Sequence, residues 1–272
     1  MKTFRFIGMA LFAVLMCVNL AACSSSEDDP TEEKEESEVV VSDKKLTEIK
    51  ITSDKTSTNY TFSYDNNGHL MSAYDGDIYQ YSWDKNSIVE TVDDETITYS
   101  LADGLIKGRK APRWNVTIAY NSSKQIIAFN HSYSYSSVDE KETFSWENGK
   151  ITKIVRDEIH RTDNLEIAYS NQTCKGYNPL VGAMIFGDTY LTFAHPELIG
   201  LRLNQLPTKI TQTSTAKTPG TVTYDEVTEL SYTLDNSGYI TSCSIKENST
   251  EKTWEGEKRE YTRTYVYTFK WQ

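Results

Sequence analysis

The groups able to do chemistry in this chain are few: four cysteines and four histidines, set among 39 carboxylates. Cys23 ends the tetrapeptide Leu20-Ala21-Ala22-Cys23. It follows Lys2, Arg5 and an apolar run from Phe6 to Leu20 broken only by Gly8 and Asn19. That arrangement is a secretory signal with small residues before the cut, ending on a thiol to which lipid can be attached. An apolar run of about fifteen residues is short of the ~20 that a bilayer-spanning helix needs. The imidazoles His69, His131, His160 and His195 fall in no catalytic or metal-ligating spacing. Gly-x-Ser-x-Gly, His-Glu-x-x-His, a phosphate-binding glycine loop and a cysteine pair at metal spacing are all missing. The residues therefore predict no catalytic site, no cofactor and no metal. A glycosidase needs only two well-placed carboxylates, and no spacing here singles out such a pair.

The tetrapeptide resembles the lipobox of bacterial lipoproteins. The resemblance implies cleavage before Cys23 and acylation of its sulfur and its new amine. Two or more chains anchor stably where one does not, at ~0.8 kcal/mol per buried CH₂. Behind it, Ser24-Ser25-Ser26-Glu27-Asp28-Asp29-Pro30 opens a segment with eight carboxylates and one lysine before residue 41. Such a stretch cannot bury apolar surface and is expected to be an extended tether. The run Glu27, Asp28, Asp29 resembles the surface-export signal of Bacteroides-type lipoproteins. It implies a place on the outer face of the outer membrane; a plain linker would leave the domain in the periplasm.

The chain carries −11, and −13 without Lys2 and Arg5; residues 24–40 hold −7 of that, leaving about −6 on the rest. This argues against nucleic-acid binding, which needs a basic footprint. Once Cys17 leaves with the signal and Cys23 takes lipid, Cys174 and Cys243 remain. They read either as a disulfide or as two separate thiols, and their spacing does not decide.

The elements around these residues repeat. An alternating aromatic strand runs into a turn of Asp, Asn and Gly, then into an aliphatic strand. Tyr60-Thr-Phe62-Ser-Tyr64 leads through Asp65-Asn66-Asn67-Gly68 to Leu70. Phe144-Ser-Trp146 leads through Asn148-Gly149 to Ile151, and Leu230-Ser-Tyr232-Thr-Leu234 through Asp235-Asn236-Ser237-Gly238 to Ile240. Asn, Asp and Gly tolerate the positive φ of tight hairpins, and aromatic and β-branched residues fit a pleated half-buried surface. The predicted fold is all-β: a long antiparallel meander of sequential hairpins, curled or closed into a barrel-like sheet. The boundaries read as a signal over 1–22, lipidated cysteine and tether over 23–44, and one β domain over 45–272.

The strand–Tyr-Asp-Asn-Asn-Gly–Leu unit at 60–71, repeated along the chain, resembles a Bacteroides family of lipoproteins with a domain of unknown function described as a porin-like β fold. Similar hairpins occur in the YD-repeat shells of large toxins. The resemblance covers 45–272 and implies fold and location, with no activity attached. A lipid-facing strand needs one apolar face, whereas Lys150-Ile-Thr-Lys153-Ile-Val-Arg156-Asp157-Glu158 carries charge on both alternations.

Residues 177–207 break the pattern. They are apolar and non-alternating, with Asn178 placed to cap a helix starting at Pro179. They are expected to form a short helical or irregular plug on the sheet. The functional expectation is an outer-membrane lipoprotein working as a non-catalytic surface binding module for a glycan or a protein. A structural envelope protein without a small ligand is the alternative, and a glycoside-acting enzyme the weaker one. With 18 Tyr and 5 Trp, the deciding question is whether the aromatics face solvent or build the core.

Overall fold

The computed structural model describes residues 44–135, 139–186, 190–201, 203–253 and 255–272. The expected signal over 1–22, Cys23 and the acidic run Glu27, Asp28, Asp29 lie outside the described residues.

Sixteen strands follow one another in the described chain: β1 (Leu46–Ser53), β2 (Ser57–Tyr64), β3 (Leu70–Tyr74), β4 (Ile78–Asp84), β5 (Ser87–Val92), β6 (Glu95–Ala102), β7 (Leu105–Ala111), β8 (Trp114–Tyr120), β9 (Ile126–Tyr133), β10 (Glu140–Glu147), β11 (Lys150–Asp157), β12 (Arg161–Thr173), β13 (Gln205–Ala216), β14 (Thr223–Leu234), β15 (Ile240–Lys252) and β16 (Lys258–Trp271). Each pairs with its sequence neighbour, and β1 pairs with β16, so the meander closes into a barrel. Ile49 opposes Phe269 across the seam, and Lys45 and Gln272 exchange two backbone hydrogen bonds of 2.7 and 2.9 Å. Closure removes both free edges.

The turns follow the predicted chemistry. Asn148 and Gly149 hold φ of 50° and 71° in a two-residue hairpin, the mirror-image turn that suits twisted strands. In the longer β2–β3 turn, Asp65 Oδ1 accepts the amides of Asn67 and His69, and Asp235 does the same for Ser237 and Tyr239 between β14 and β15.

Period two sorts the side chains. On β16, Tyr265, Tyr267, Phe269 and Trp271 face the interior, while Thr264, Val266, Thr268 and Lys270 face out. The outward rows of other strands are similarly polar: Glu48, Lys50 and Thr52 on β1, Thr61 and Ser63 on β2, Glu229, Ser231 and Thr233 on β14.

A recurring contact locks the hairpins. The last inward aromatic of a strand donates to a carbonyl at the start of the strand before it. Tyr64 Oη reaches Leu46 O (2.6 Å), Trp83 Nε1 reaches Leu70 O (2.8 Å) and Tyr120 Oη reaches Ile106 O (2.6 Å). Trp146 Nε1 reaches Ile126 O (2.7 Å), Tyr169 Oη reaches Ile151 O (2.9 Å) and Trp271 Nε1 reaches Ile240 O (2.7 Å). Leu101 and Leu234 hold the same place on β6 and β14, each beside a register shift, and have no donor to offer. A buried aromatic ring with a polar tip needs such a partner.

The chain leaves the sheet after β12. Asn178 Oδ1 accepts the Leu180 amide (3.1 Å), capping α1 (Pro179–Phe186). Then come α2 (Tyr190–Ala194) and a 3₁₀ turn over Pro196–Ile199 that ends on Gly200 at φ 70°. Leu180, Val181, Leu191, Phe193, Ile199 and Leu201 are buried in the core. Tyr190 packs on Tyr60, Phe62 and Tyr79 from the barrel wall. The plug is therefore an inserted apolar core, and the sheet resumes at Gln205, two residues before the expected end of the segment. Cys174 and Cys243 are separate buried thiols, both pushed up to about 12 by burial.

Candidate functional site

The interior differs between its two ends. At the end where β1 begins and β16 ends, the filling is apolar. Toward the opposite end, the inward positions carry charge. Glu90, Glu142, Asp163, Gln212 and Glu226 are all buried. They continue the inward rows of Ile88, Phe144, Leu165, Ile210 and Leu230, respectively.

Partners come from the same strand and from neighbouring ones. Arg156 Nε donates to Glu142 Oε1 (3.2 Å), and Arg161 Nε lies 3.0 Å from Asp163 Oδ2 and 3.2 Å from Glu158 Oε2. Ser214 Oγ donates to Asp163 Oδ1 (2.5 Å), and Tyr99 Oη donates to Glu90 Oε2 (2.6 Å). Arg109 lies over the rings of Trp114 (4.5 Å) and Tyr99 (5.7 Å). Burial dominates the titration of this region. It pushes His131 down to about 4, helped by Arg156 and Arg109, so its contact with Glu142 at 3.6 Å is not an ion pair at neutral pH. Burial raises Glu142 against the pull of Arg156, and raises Glu226; Glu247 is pushed up to about 7 by burial and by the charge of Glu226. A buried ion pair contributes little net stability, but removing one partner is costly. This half of the interior is thus a cross-linked filling.

At the plug end a cavity of 370 Å³ is lined by Lys44, Lys45, Tyr64, Asn67, His69, Trp83, Tyr177, Ala194, His195, Glu197 and Leu198, among others. The β2–β3 turn supplies His69, stacked at 4.5 Å on Trp83 of β4, with Nδ1 3.1 Å from Asp65 Oδ2. The plug supplies His195, edge-on to Trp83 at 5.2 Å. Its Nε2 accepts the Leu70 amide (3.2 Å), so its proton sits on Nδ1, which meets Glu197 Oε1 at 3.0 Å. Both nitrogens of His195 are engaged within the fold. Burial and then the charge of Glu197 push the Tyr64 phenol up, keeping it a donor. Lys45 Nζ lies 5.3 Å over the Tyr64 ring, and Lys44 Nζ lies 4.9 Å over Tyr239 and 4.0 Å from Asp235. The cavity wall thus combines lysine and amide donors, the Glu197 carboxylate and aromatic rings.

A wider, shallower hollow of 490 Å³ crosses β13–β16. It is lined by Thr211, Thr213, Asp225, Val227, Asn248 and Thr262 and also by the inward Gln212 and Glu226. Among the described residues no group of three or more His, Cys, Asp or Glu could hold a metal ion.

His160, in the β11–β12 turn, meets Thr218 at 3.3 Å. His69 and His195 stand far apart in the sequence, and the plug brings both rings against the indole of Trp83. The spacing of 126 residues between them carries no signal for that contact.

No family model matches the chain, and no curated protein does. Solved structures match. A porin-like protein from Bacteroides uniformis aligns at a TM-score of 0.59, covering 83% of this chain and 98% of that one at 16% identity. A porin-like protein from Bacteroides vulgatus aligns at 0.56, covering 81% and 97% at 14% identity. At such identities the likeness establishes the fold, a porin-like antiparallel barrel.

Proposed function

We propose that this chain is an outer-membrane lipoprotein, held through lipid on Cys23, whose plugged barrel is a non-catalytic binding module for a glycan or a protein on the cell surface. The observation that carries the reading is the polar outer wall. A barrel in a bilayer needs an apolar band roughly 25 Å tall, and a Lys facing lipid at the midplane costs about 2–4 kcal/mol. Here Lys50, Lys153, Lys209 and Lys246 stand in outward rows together with Thr, Ser and Glu. Among the described residues the interior holds the buried plug and the ion pairs of Glu142 with Arg156 and Asp163 with Arg161. A porin-like barrel with such a wall needs a separate anchor, and Leu20 to Cys23 supplies one. Glu27, Asp28 and Asp29 support the surface location.

The test is fractionation of cells expressing the full chain and Cys23→Ala. The variant is expected in the soluble fraction with its barrel folded. A variant that still pellets with membranes and resists carbonate, or a purified chain that conducts ions across a planar bilayer, refutes the reading.

One observation favours the alternative, a structural envelope protein without a small ligand: aromatics fill the inward rows, and Tyr64, Trp83, Tyr120, Trp146, Tyr169 and Trp271 spend their donors on backbone carbonyls. Exposed tyrosines are Tyr74, Tyr135 and Tyr261. A glycan-array screen of the Cys23→Ala chain separates the two, since a structural protein retains no glycan.

A further inference from the structure

Arg109 is a half-buried cation without a counter-ion. It stands on the inward row of β7, between Tyr99 of β6 and Val116 of β8. Its guanidinium lies over the rings of Trp114 and Tyr99, and its Nε is buried with no hydrogen-bond partner. Among the described residues no carboxylate comes within 4.0 Å of that guanidinium and no acceptor bonds it. The acids of this region have donors of their own. Glu142 holds Arg156 at 3.2 Å and Glu158 holds Arg161 at 3.2 Å, while Glu90 takes the Tyr99 hydroxyl and Glu140 the Tyr133 hydroxyl. A charge drawn out of water without a partner is costly.

His131 continues the same row, since Val116 pairs with Arg109 on one side and with His131 on the other. Its Nε2 is also buried without a hydrogen-bond partner, 3.6 Å from Glu142 Oε1. A neutral imidazole carries an N–H to donate. The His131 side chain is 25% exposed, so solvent reaches this row through the end of the barrel opposite the plug. Nearer that end, Trp114 pairs with Tyr133, whose ring lies 5.3 Å from that of Tyr135. Tyr135 is 76% exposed. Arg109 and His131 thus form a floor of donors beneath an aromatic rim. Beside them Glu142 Oε2, unpartnered as well, is an acceptor.

We infer that this mouth of the barrel binds an oxyanion carried on a hydroxylated ring: a carboxylate or phosphate ester on Arg109 and His131, the ring against Trp114 and Tyr133, a hydroxyl on Glu142 Oε2. A guanidinium presents a planar fork that matches the oxygens of either group. It is also weakly hydrated, which suits a site walled by rings. Aromatic faces take the apolar side of such a ring while polar groups take its edge. The inference rests on the binding-module reading and gives it a site and a ligand class.

The test titrates the Cys23→Ala chain with glucuronic acid, glucose 6-phosphate, glucose, acetate and inorganic phosphate. Binding is followed by calorimetry and by the His131 ring signals in NMR. The acidic sugars are expected to bind more tightly than glucose or either free anion, and to raise the His131 pKa from about 4. The tighter of the two assigns carboxylate or phosphate as the group recognised. Arg109→Gln is expected to weaken binding at least about tenfold, the worth of a charged hydrogen bond. Its melting temperature is expected to change little, because no carboxylate loses a partner. Arg109→Lys keeps the charge without the fork and is expected to lose affinity to a similar extent. It carries the test should Arg109→Gln fail to fold.

Acidic sugars that bind wild type and Arg109→Lys equally, or that leave the His131 signals unmoved, overturn the inference. Free phosphate and acetate binding as tightly as the sugars overturn it too. A neutral glycan or a protein bound equally by wild type and Arg109→Lys, with no acidic sugar bound, overturns it while leaving the binding-module reading intact. Failure of every probe and of every glycan on the array overturns both.

Discussion

Glu247→Gln probes the charged half of the barrel most directly. Glu247 follows Cys243 and Ile245 on the inward row of β15, and burial with the neighbouring charge of Glu226 pushes its carboxyl up from 4.5 to about 7. The native state thus holds a proton that the unfolded chain has released between those two values. A raised native pKa means stability is fully present below about pH 4.5 and is lost as pH rises through about 7. The displacement is worth about 3 kcal/mol at full effect, at 1.36 kcal/mol per pH unit. His131 titrates in the opposite sense: pushed down to about 4, it gives up stability as pH falls through 6.5. The two effects offset each other in wild type, so the informative quantity is a double difference. Urea unfolding of wild type and Glu247→Gln is measured at pH 5 and pH 8. The amide cannot ionise, so the variant is expected to gain about 2–3 kcal/mol over wild type on going from pH 5 to pH 8. An equal pH dependence of the two proteins refutes the assignment of Glu247 to a half-buried inward position.

Tyr120→Phe and Tyr169→Phe each remove one hydroxyl donor and leave the Ile106 or Ile151 carbonyl short of a partner. Each is expected to cost about 1 kcal/mol, read as a shifted denaturation midpoint with unchanged slope. Gly200 sits at φ 70°, and a Cβ there would lie 2.3 Å from the Lys124 carbonyl. Gly200→Ala is therefore expected to cost more than about 2 kcal/mol, whereas Gly104→Ala, strained in φ but facing open space, costs about 1. Equal melting temperatures for the two variants would show that the plug does not press on the β8–β9 turn. Leu191→Ala, at a fully buried plug position, is expected to lose about 2–5 kcal/mol. A variant of undiminished stability that loses only ligand binding would make the plug a docking surface.

Much of this molecule is local and therefore written in the chain. Asn148-Gly149 makes a two-residue turn because both positions can take positive φ. Tyr60, Phe62 and Tyr64 share a face because strand geometry has period two. Asn178 caps a helix at Pro179 because its side chain reaches the Leu180 amide and proline needs no donor there. These are short-range properties, and they determine strands, turns, the plug and an antiparallel meander.

The tertiary structure decides what depends on distant partners. Closure joins Leu46 to Trp271, and no strand announces its partner across 225 residues. The aromatics alternate in the sequence, but only the closed barrel shows their polar tips on the carbonyls of the preceding strand. Lys153, Arg156 and Asp157 read as charge on both faces of β11. The fold separates them, leaving Lys153 and Asp157 on the outward row and Arg156 on the inward row with Glu142. Glu142 and Glu226 keep the register of Phe144 and Leu230, which marks them as inward. What the sequence lacks is the reason Glu142 is tolerated there, since its donor Arg156 comes from the neighbouring strand.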